Sequence, residues 1–376
     1  MRLLKLAFWG SLALLAHTHV GYPIVLWALR REVGEGMPAP STAAEPPRVS
    51  LVIAAHDEAD VIERRVANAL AADYPRERLE VVVASDGSSD HTVELARTAG
   101  ADLVLELPRA GKIATQNAAV AQASGEILVF SDANAYWEPD AIARLAARFD
   151  DPEVGYVCGQ VRFLDAEGSN QEGAYWRFEM KVRELESGLA GVTAGNGAIY
   201  AVRREAYIPL GPSRSHDLSF PFELTKRGWR CLYEARAVAE EKLVPTLEGE
   251  FARKRRMMRG LWDIVVGDGM ISPRGYSPAY AFEIASHRLL RYASPALHLL
   301  ALVANLGLLG RGRVYRLALA AQLSLLAGAL AAEAIPVRPT QTCRYYVLVT
   351  ASIAAGGWDR ARQGPPAAWE KSEGTR

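Results

Sequence analysis

Cysteine is scarce in this chain. There are three in 376 residues, Cys158, Cys231 and Cys343, far apart and with no CxxC pair. That spacing excludes a disulfide framework and gives no support to a structural zinc site, so a reducing compartment is the simpler expectation for the middle of the chain. Net charge is missing too. The 43 basic and 43 acidic residues cancel, leaving no overall field to attract nucleic acid or an acidic partner. Neither GxGxxG nor GxxxxGK[ST] occurs, which argues against a dinucleotide-binding fold or a P-loop ATPase. No internal repeat or low-complexity tract is present. With 50% hydrophobic and 23% charged residues the chain is not disordered. Its length allows a few folded units at roughly 150 residues each.

Charge is also absent locally, at the two ends. From Leu6 to Leu29 there is no Asp, Glu, Lys or Arg, and Arg30-Arg31 closes the run. At about 1.5 Å rise per residue this run spans about 36 Å, more than the ~30 Å hydrocarbon core of a bilayer. It is longer than the ~7–15 residues of a signal-peptide core and lacks an A-x-A site, so a membrane anchor is expected. Tyr292–Gly310 and Leu317–Ala332 are further uncharged runs. Tyr345–Trp358 is shorter, and a span, a half-span, an interfacial helix and a packed core helix all stay open for it. Arg30-Arg31 and the Arg253–Arg259 cluster favour a cytoplasmic middle, although Arg311, Arg313 and Arg316 would then sit outside.

Between the ends the pattern is α/β. After a Gly-, Pro- and Ala-rich stretch, Gly34–Pro47, that reads as a linker, Val49–Ala55 is a short buried strand. Asp60–Ala72 repeats apolar residues at helical spacing. Leu79–Ala84 is a second strand, Thr92–Ala99 a helix, Leu103–Leu105 a weak strand, Ala114–Ala123 a helix and Ile127–Phe130 another buried strand. This alternation predicts a parallel, doubly wound sheet with its ligands beyond the carboxyl ends of the strands.

Acidic groups stand at those strand exits: His56-Asp57-Glu58, Asp86 to Asp90, and Ser131-Asp132-Ala133-Asn134. Helix capping accounts for Asp90 before Thr92. Three acidic exits on one edge call for more, because clustered carboxylates repel unless a cation or a ligand's donors lie between them. Mg²⁺ takes only one or two protein carboxylates and fills its shell with phosphate oxygens, so a nucleoside diphosphate with its metal suits this edge.

The segments VSLVIAAHDEADVIERRVANAL, VVVASDGSSDHT and GKIATQNAAVAQASGEILVFSDAN carry a resemblance that continues through GNGAIYAVRREAY and HDLSFPFELTKRGWRCLYEARAVAEE. Five motifs in order, over residues 48 to 260, resemble the membrane-bound branch of the family 2 glycosyltransferases of the GT-A fold. The resemblance implies a nucleotide-binding role for Glu58, Asp86, Lys112 and Asp132. It implies a metal site at Asp132 and Asn134 for Mg²⁺ or Mn²⁺, and an acceptor and sugar pocket at Gly195, Asn196 and Gly197. It places Asp217, eleven residues before Gly228, where the family has its catalytic base. Arg253 and Arg256 fall where basic side chains could close over the diphosphate, with attraction to a membrane surface as the competing role. Met257–Ile271 fits an interfacial helix or core packing, and His216 either a structural side chain or a tuner of its neighbour.

Departures from the family pattern matter. The metal motif is DAN, not DxD, so its second ligand is uncharged. His56-Asp57 replaces the usual Tyr-Asn, His216 stands where relatives often carry a second acid, and no QxxRW follows, so processivity is not implied. The expected organisation is an anchor over 1–31, a linker over 32–47, a GT-A catalytic domain over 48–250, a basic amphipathic segment over 251–288, membrane helices over 289–358 and a polar tail over 359–376. The expected function is inverting, metal-dependent transfer from a nucleotide-sugar, with UDP favoured, to a polysaccharide or lipid-linked glycan. The expected place is a multi-pass membrane protein with its catalytic domain in the cytoplasm, contacting membrane lipid and no nucleic acid. Two alternatives stay open: transfer to a polyprenyl phosphate, and a non-catalytic nucleotide-binding scaffold.

Overall fold

The structure is a computed structural model that describes residues 1–33, 45–164, 171–242 and 247–364. The linker expected at Gly34–Pro47 lies outside the described residues except for its last three positions, and most of the expected polar tail lies outside them too. One mixed sheet of eight strands forms the centre. The strands are β1 Val49–Ala55, β2 Leu79–Asp86, β3 Leu103–Leu107, β4 Ile127–Asp132, β5 Tyr136–Trp137, β6 Val154–Leu164, β7 Ile199–Arg203 and β8 Arg230–Lys242. Their order is β3-β2-β1-β4-β7-β6-β8-β5.

The β3-β2-β1-β4 half is parallel, as the βα alternation predicts. The other half departs from the doubly wound expectation. Strand β7 pairs antiparallel with both β4 and β6, while β6 and β8 run parallel. Both faces of the parallel half are covered. Leu51, Ile53, Val81, Val83 and Val129 bury on one side, and Val52, Val82, Ala84, Leu128 and Phe130 on the other. Period-2 alternation between two apolar layers therefore reads in the sequence as an unbroken hydrophobic run.

The helices are α1 Arg2–Ala16, α2 Tyr22–Val33, α3 Ile62–Leu70, α4 Thr92–Thr98, α5 Lys112–Gln122, α6 Ala141–Ala146, α7 Gln171–Ser187, α8 His216–Lys226, α9 Leu247–Trp262, α10 Pro278–Glu283, α11 Leu290–Leu306, α12 Arg313–Ala331 and α13 Arg338–Gln363. Helices α1 and α2 join through a π turn at His17–Gly21, and α10 and α11 through another at Ile284–Leu289. Among the described residues three helical stretches are long and apolar enough to cross a membrane: Arg2–Leu29, Pro278–Leu306 and Arg313–Ala331.

The fourth apolar run, Tyr345–Trp358, sits inside α13, which packs along α9 and α12. A Cβ on Gly356 would lie 2.6 Å from Met258 Cβ and 2.8 Å from the Arg255 carbonyl, and one on Gly357 would lie 2.9 Å from Trp262 Nε1. Paired glycines thus let the two backbones approach, and the Arg255–Asp359 and Arg360–Asp263 ion pairs flank the contact. Leu261, Ile264, Val265 and Met270 bury with Phe222, Tyr280, Ile284 and Tyr292, so one side of Met257–Ile271 packs into the protein, while Met257, Val266 and Ile271 stay exposed.

Candidate functional site

Parallel pairing brings the strand ends level. Ala55 lies beside Ser85, and Ala54 beside Asp132, so the acidic exits of β1, β2 and β4 share one edge. Asp86 and Asp132 are the last residues of their strands, not members of the loops that follow. Strand β2 runs on because Ser85 and Asp86 pair with Glu106 and Leu107 of β3. The Asp86 carboxylate is buried. It accepts the backbone N–H groups of Ala110, at 2.7 Å, and Gly111, at 3.0 Å, with the Arg109 guanidinium 3.5 Å away. It thereby holds the loop that delivers Lys112 as the first residue of α5, two positions earlier than the sequence suggests. The Lys112 ammonium forms an ion pair with Asp132.

Glu58 is buried at the end of the first exit. Thr92 Oγ1 accepts its N–H at 2.7 Å, and its carbonyl accepts from Val61 and Ile62 at the start of α3. Asp57 beside it has φ +49°, the one non-glycine residue with positive φ among those described. Its carboxylate accepts the N–H of Ser89 at 2.7 Å, an αL arrangement that Asp tolerates better than most residues. Asp90 accepts the N–H of Thr92 at 3.0 Å, but the N-cap itself is His91, so Asp90 supports the helix start from one residue further out than its expected capping position.

The loop Val192–Gly197 closes the edge. A Cβ built on Gly197 would sit 3.5 Å from Lys112 Nζ and 3.8 Å from Asp132 Oδ2, so this glycine backbone borders the ion pair directly. A Cβ on Gly195 would fall 1.8 Å from the Tyr156 hydroxyl, a space only glycine fits. Asn196 spends its side chain on structure, donating to the Gly159 carbonyl at 2.7 Å and accepting the Ile199 N–H at 3.0 Å.

Asp217, half-buried, occupies the first turn of α8 after the N-cap Ser215, where a helix favours negative charge. Pro221 has no N–H to offer the carbonyl four residues back. That carbonyl belongs to Asp217, and it accepts the Gly195 N–H at 2.7 Å instead. The missing helix bond therefore joins Asp217 to the loop that borders Asp132 and Lys112. His216 is buried among Phe130, Tyr200, Tyr207 and Phe220, with Nδ1 2.7 Å from the Tyr200 hydroxyl. Burial, helped by the Lys112 charge, holds its pKa well below the usual histidine range, so the ring is neutral at pH 7.

The donor set suits a cation only in company. Among the described residues no three His, Cys, Asp or Glu side chains converge. Asp132 and the Asn134 amide are hard oxygen donors of the kind Mg²⁺ and Mn²⁺ accept, and two protein groups leave most of the shell to a ligand's phosphate oxygens. Arg253 and Arg256 stand on α9, whose main packing partner is α13, not the sheet edge. Neighbouring Arg259 donates to the carbonyls of Gly364 and Gln363.

Residues 50–210, which hold β1 to β4 and the Gly195 loop, match Glycosyl transferase family 2. Over that segment the chain is similar to the family. Curated proteins similar to this chain include the poly-beta-1,6-N-acetyl-D-glucosamine synthase of Staphylococcus aureus, 25% identical over 58% of this chain and 56% of the relative. Another is the glycosyltransferase AglE of Haloferax volcanii, 26% identical over 46% of this chain and 58% of the relative. The chain thus spans little more than half the length of these curated relatives. A solved mannosyltransferase from Pyrobaculum calidifontis, in complex with GDP-Man and Mn²⁺, superposes over 94% of this chain and 99% of its own, with TM-score 0.73 and 25% identity. That coverage takes in the helices outside the family 2 match.

Several residues of the site escape sequence reasoning. Arg65 is wholly buried under the end of β4. It donates to Ser131 Oγ at 3.0 Å, and burial lowers its pKa to about 9. Its one signal is an arginine inside the apolar stripe Ile62, Val66, Ala69. Arg183 of α7 is buried and donates to the Gly195 carbonyl at 2.8 Å, and nothing in its local sequence points there.

Proposed function

We propose that this chain is a membrane-bound, inverting glycosyltransferase that moves a sugar from a nucleoside-diphosphate sugar to a hydroxyl of a glycan or lipid-linked glycan. One observation carries the proposal. The Gly195–Gly197 loop bonds to the Asp217 backbone at one end and borders Lys112 and Asp132 at the other, so one short loop links the residue read as the base to the Lys112–Asp132 pair. Glu58 and Asp86 line the nucleotide end, and Asp217 is the base. As the acceptor oxygen bonds to the anomeric carbon, its proton passes to Asp217, the bond from that carbon to the diphosphate oxygen breaks, and the nucleoside diphosphate leaves. Attack from the face opposite the leaving group inverts the centre. Proton removal by a placed carboxylate contributes ~10²–10⁴ in rate.

Lys112 sets a positive charge beside the leaving diphosphate. A divalent cation held by Asp132 and Asn134 together with the donor's phosphate oxygens would neutralise the growing negative charge there. The three long apolar helices support a multi-pass membrane protein, and Arg30-Arg31 with the Arg253–Arg259 cluster supports a cytoplasmic domain. The polymer named for the Staphylococcus relative supports a polysaccharide product, and the GDP-Man in the solved mannosyltransferase keeps guanosine donors in the test beside uridine ones.

The test follows nucleoside diphosphate release from UDP- and GDP-sugars by detergent-purified protein, with Mg²⁺, Mn²⁺ or chelator. Expected is metal-dependent release from one donor, lost in Asp132→Ala and reduced ~10²-fold or more in Asp217→Asn with donor affinity kept. A full rate in Asp217→Asn with a lipid-phosphate acceptor would move the reading to a phosphate nucleophile, which needs no base. Nucleotide binding without turnover on any donor, even with membrane lipid extract added, would leave the scaffold.

A further inference from the structure

A second buried polar centre lies behind the Gly195 loop and is not used by the chemistry above. Its hub is Glu186 of α7, fully buried. One oxygen accepts from the Tyr22 hydroxyl at 2.7 Å and from His287 Nδ1 at 2.6 Å. The other accepts the Thr193 N–H at 3.2 Å and its hydroxyl at 3.0 Å. Arg288 Nε donates to that same hydroxyl at 2.8 Å. Tyr22 belongs to the N-terminal apolar stretch, and His287 and Arg288 to the π turn between α10 and α11.

The two π turns touch as well. Thr18 donates to the Ser286 carbonyl at 2.8 Å, and His17 Nε2 lies 3.0 Å from Ser286 Oγ. A widened helix turn breaks the regular backbone ladder, and here it turns His17, Thr18, Ser286 and His287 toward buried partners. In the same stretch, the Val192 carbonyl accepts from the Tyr280 hydroxyl at 3.0 Å. Thr193 is two residues from Gly195 and four from Gly197. Every bond on its side chain runs to α7 or to the Pro278–Leu306 segment.

We infer that Glu186 is a positioning residue: it joins two membrane-type helical segments to the Thr193 end of the Gly195–Gly197 loop, so loop geometry depends on how those segments dock. This rests on the transfer reading only for the loop's use. The joint itself is a matter of structure. Donor binding lies at the other end of the loop, on Asp86, Lys112 and Asp132. Loosening the Thr193 end should therefore cost the chemical step and spare donor binding, since misplacement of an acceptor-side group lowers rate without weakening the nucleotide contacts.

The experiment uses the full chain in nanodiscs as wild type, Glu186→Gln and Tyr22→Phe. Hydrogen–deuterium exchange is read over 192–197 and over β1, β2 and β4, with steady-state kinetics on the donor found above. Expected is about tenfold faster exchange in 192–197 with the strands unchanged, and kcat lowered about tenfold with donor KM within about twofold. Unchanged loop exchange in both variants overturns the inference. So does a rise in donor KM that matches the loss in kcat, which marks general damage. If Glu186→Gln does not fold, Tyr22→Phe decides, since it removes a single hydroxyl. Exchange needs no turnover, so a silent wild type counts against the transfer reading alone.

Discussion

His216 and Asp217 are chain neighbours in opposite surroundings. The imidazole is enclosed by aromatic rings and neutral, while the carboxylate begins a helix and is half exposed. A histidine whose pKa is lowered by folding stays neutral while the unfolded chain takes up a proton below its ordinary 6.5. Stability is then constant above that value and falls as pH drops below it, by up to about 1.4 kcal/mol per unit. His216→Phe should flatten this part of the curve, read as Tm by scanning fluorimetry between about pH 5 and 7.5. An equal slope in the variant would place the effect elsewhere. Burial also pushes the Cys158 and Cys231 thiols up, to about 11 and about 12, so neither is a nucleophile at neutral pH.

The loop from Val192 to Gly197 shows how one element is held from several sides. The Asp217 carbonyl freed by Pro221 takes Gly195 N–H, Arg183 takes its oxygen, and Tyr156 leaves no space beyond its Cα. Gly195→Ala must move the loop or the tyrosine, and a shift of about 1 Å at a reacting group costs ~10² in rate. Activity should fall by about that factor while nucleotide affinity, measured by calorimetry, holds. Adding Tyr156→Phe removes the atom that clashes hardest and should restore part of the rate. Equal losses in the single and double variants would mean that the backbone, not this contact, decides.

Across the whole molecule, Arg2–Leu29, Pro278–Leu306 and Arg313–Ala331 present exposed Leu6, Leu299, Leu317 and Leu330, apolar surface that water would not tolerate at this extent. The protein should stay with membranes through an alkaline carbonate wash and leave only with detergent, followed by immunoblot. Release into the wash would overturn the spanning assignment. Helix α13 should not need lipid to hold its place, because its glycine pair and ion pairs already bind it to α9.

Much of this was legible from local pattern. Strands β1, β2 and β4, the helices between them and the three apolar stretches follow from periodicity, since burying both sheet faces and matching a bilayer are conditions each segment meets alone. The acidic strand exits were visible for the same reason. Three things needed the folded chain. Strand β7 enters antiparallel because its partners are chosen by packing and not by its own residues. Asp132, Lys112, Gly197 and Asp217 come together only through register and a proline-freed carbonyl. Arg65 and Glu186 are buried charges that reach distant partners, Ser131 for the first and Tyr22 and His287 for the second, and Arg183 finds the Gly195 carbonyl outside its own helix. Propensity and spacing act over a few residues, and electrostatic satisfaction of a buried group acts across the fold.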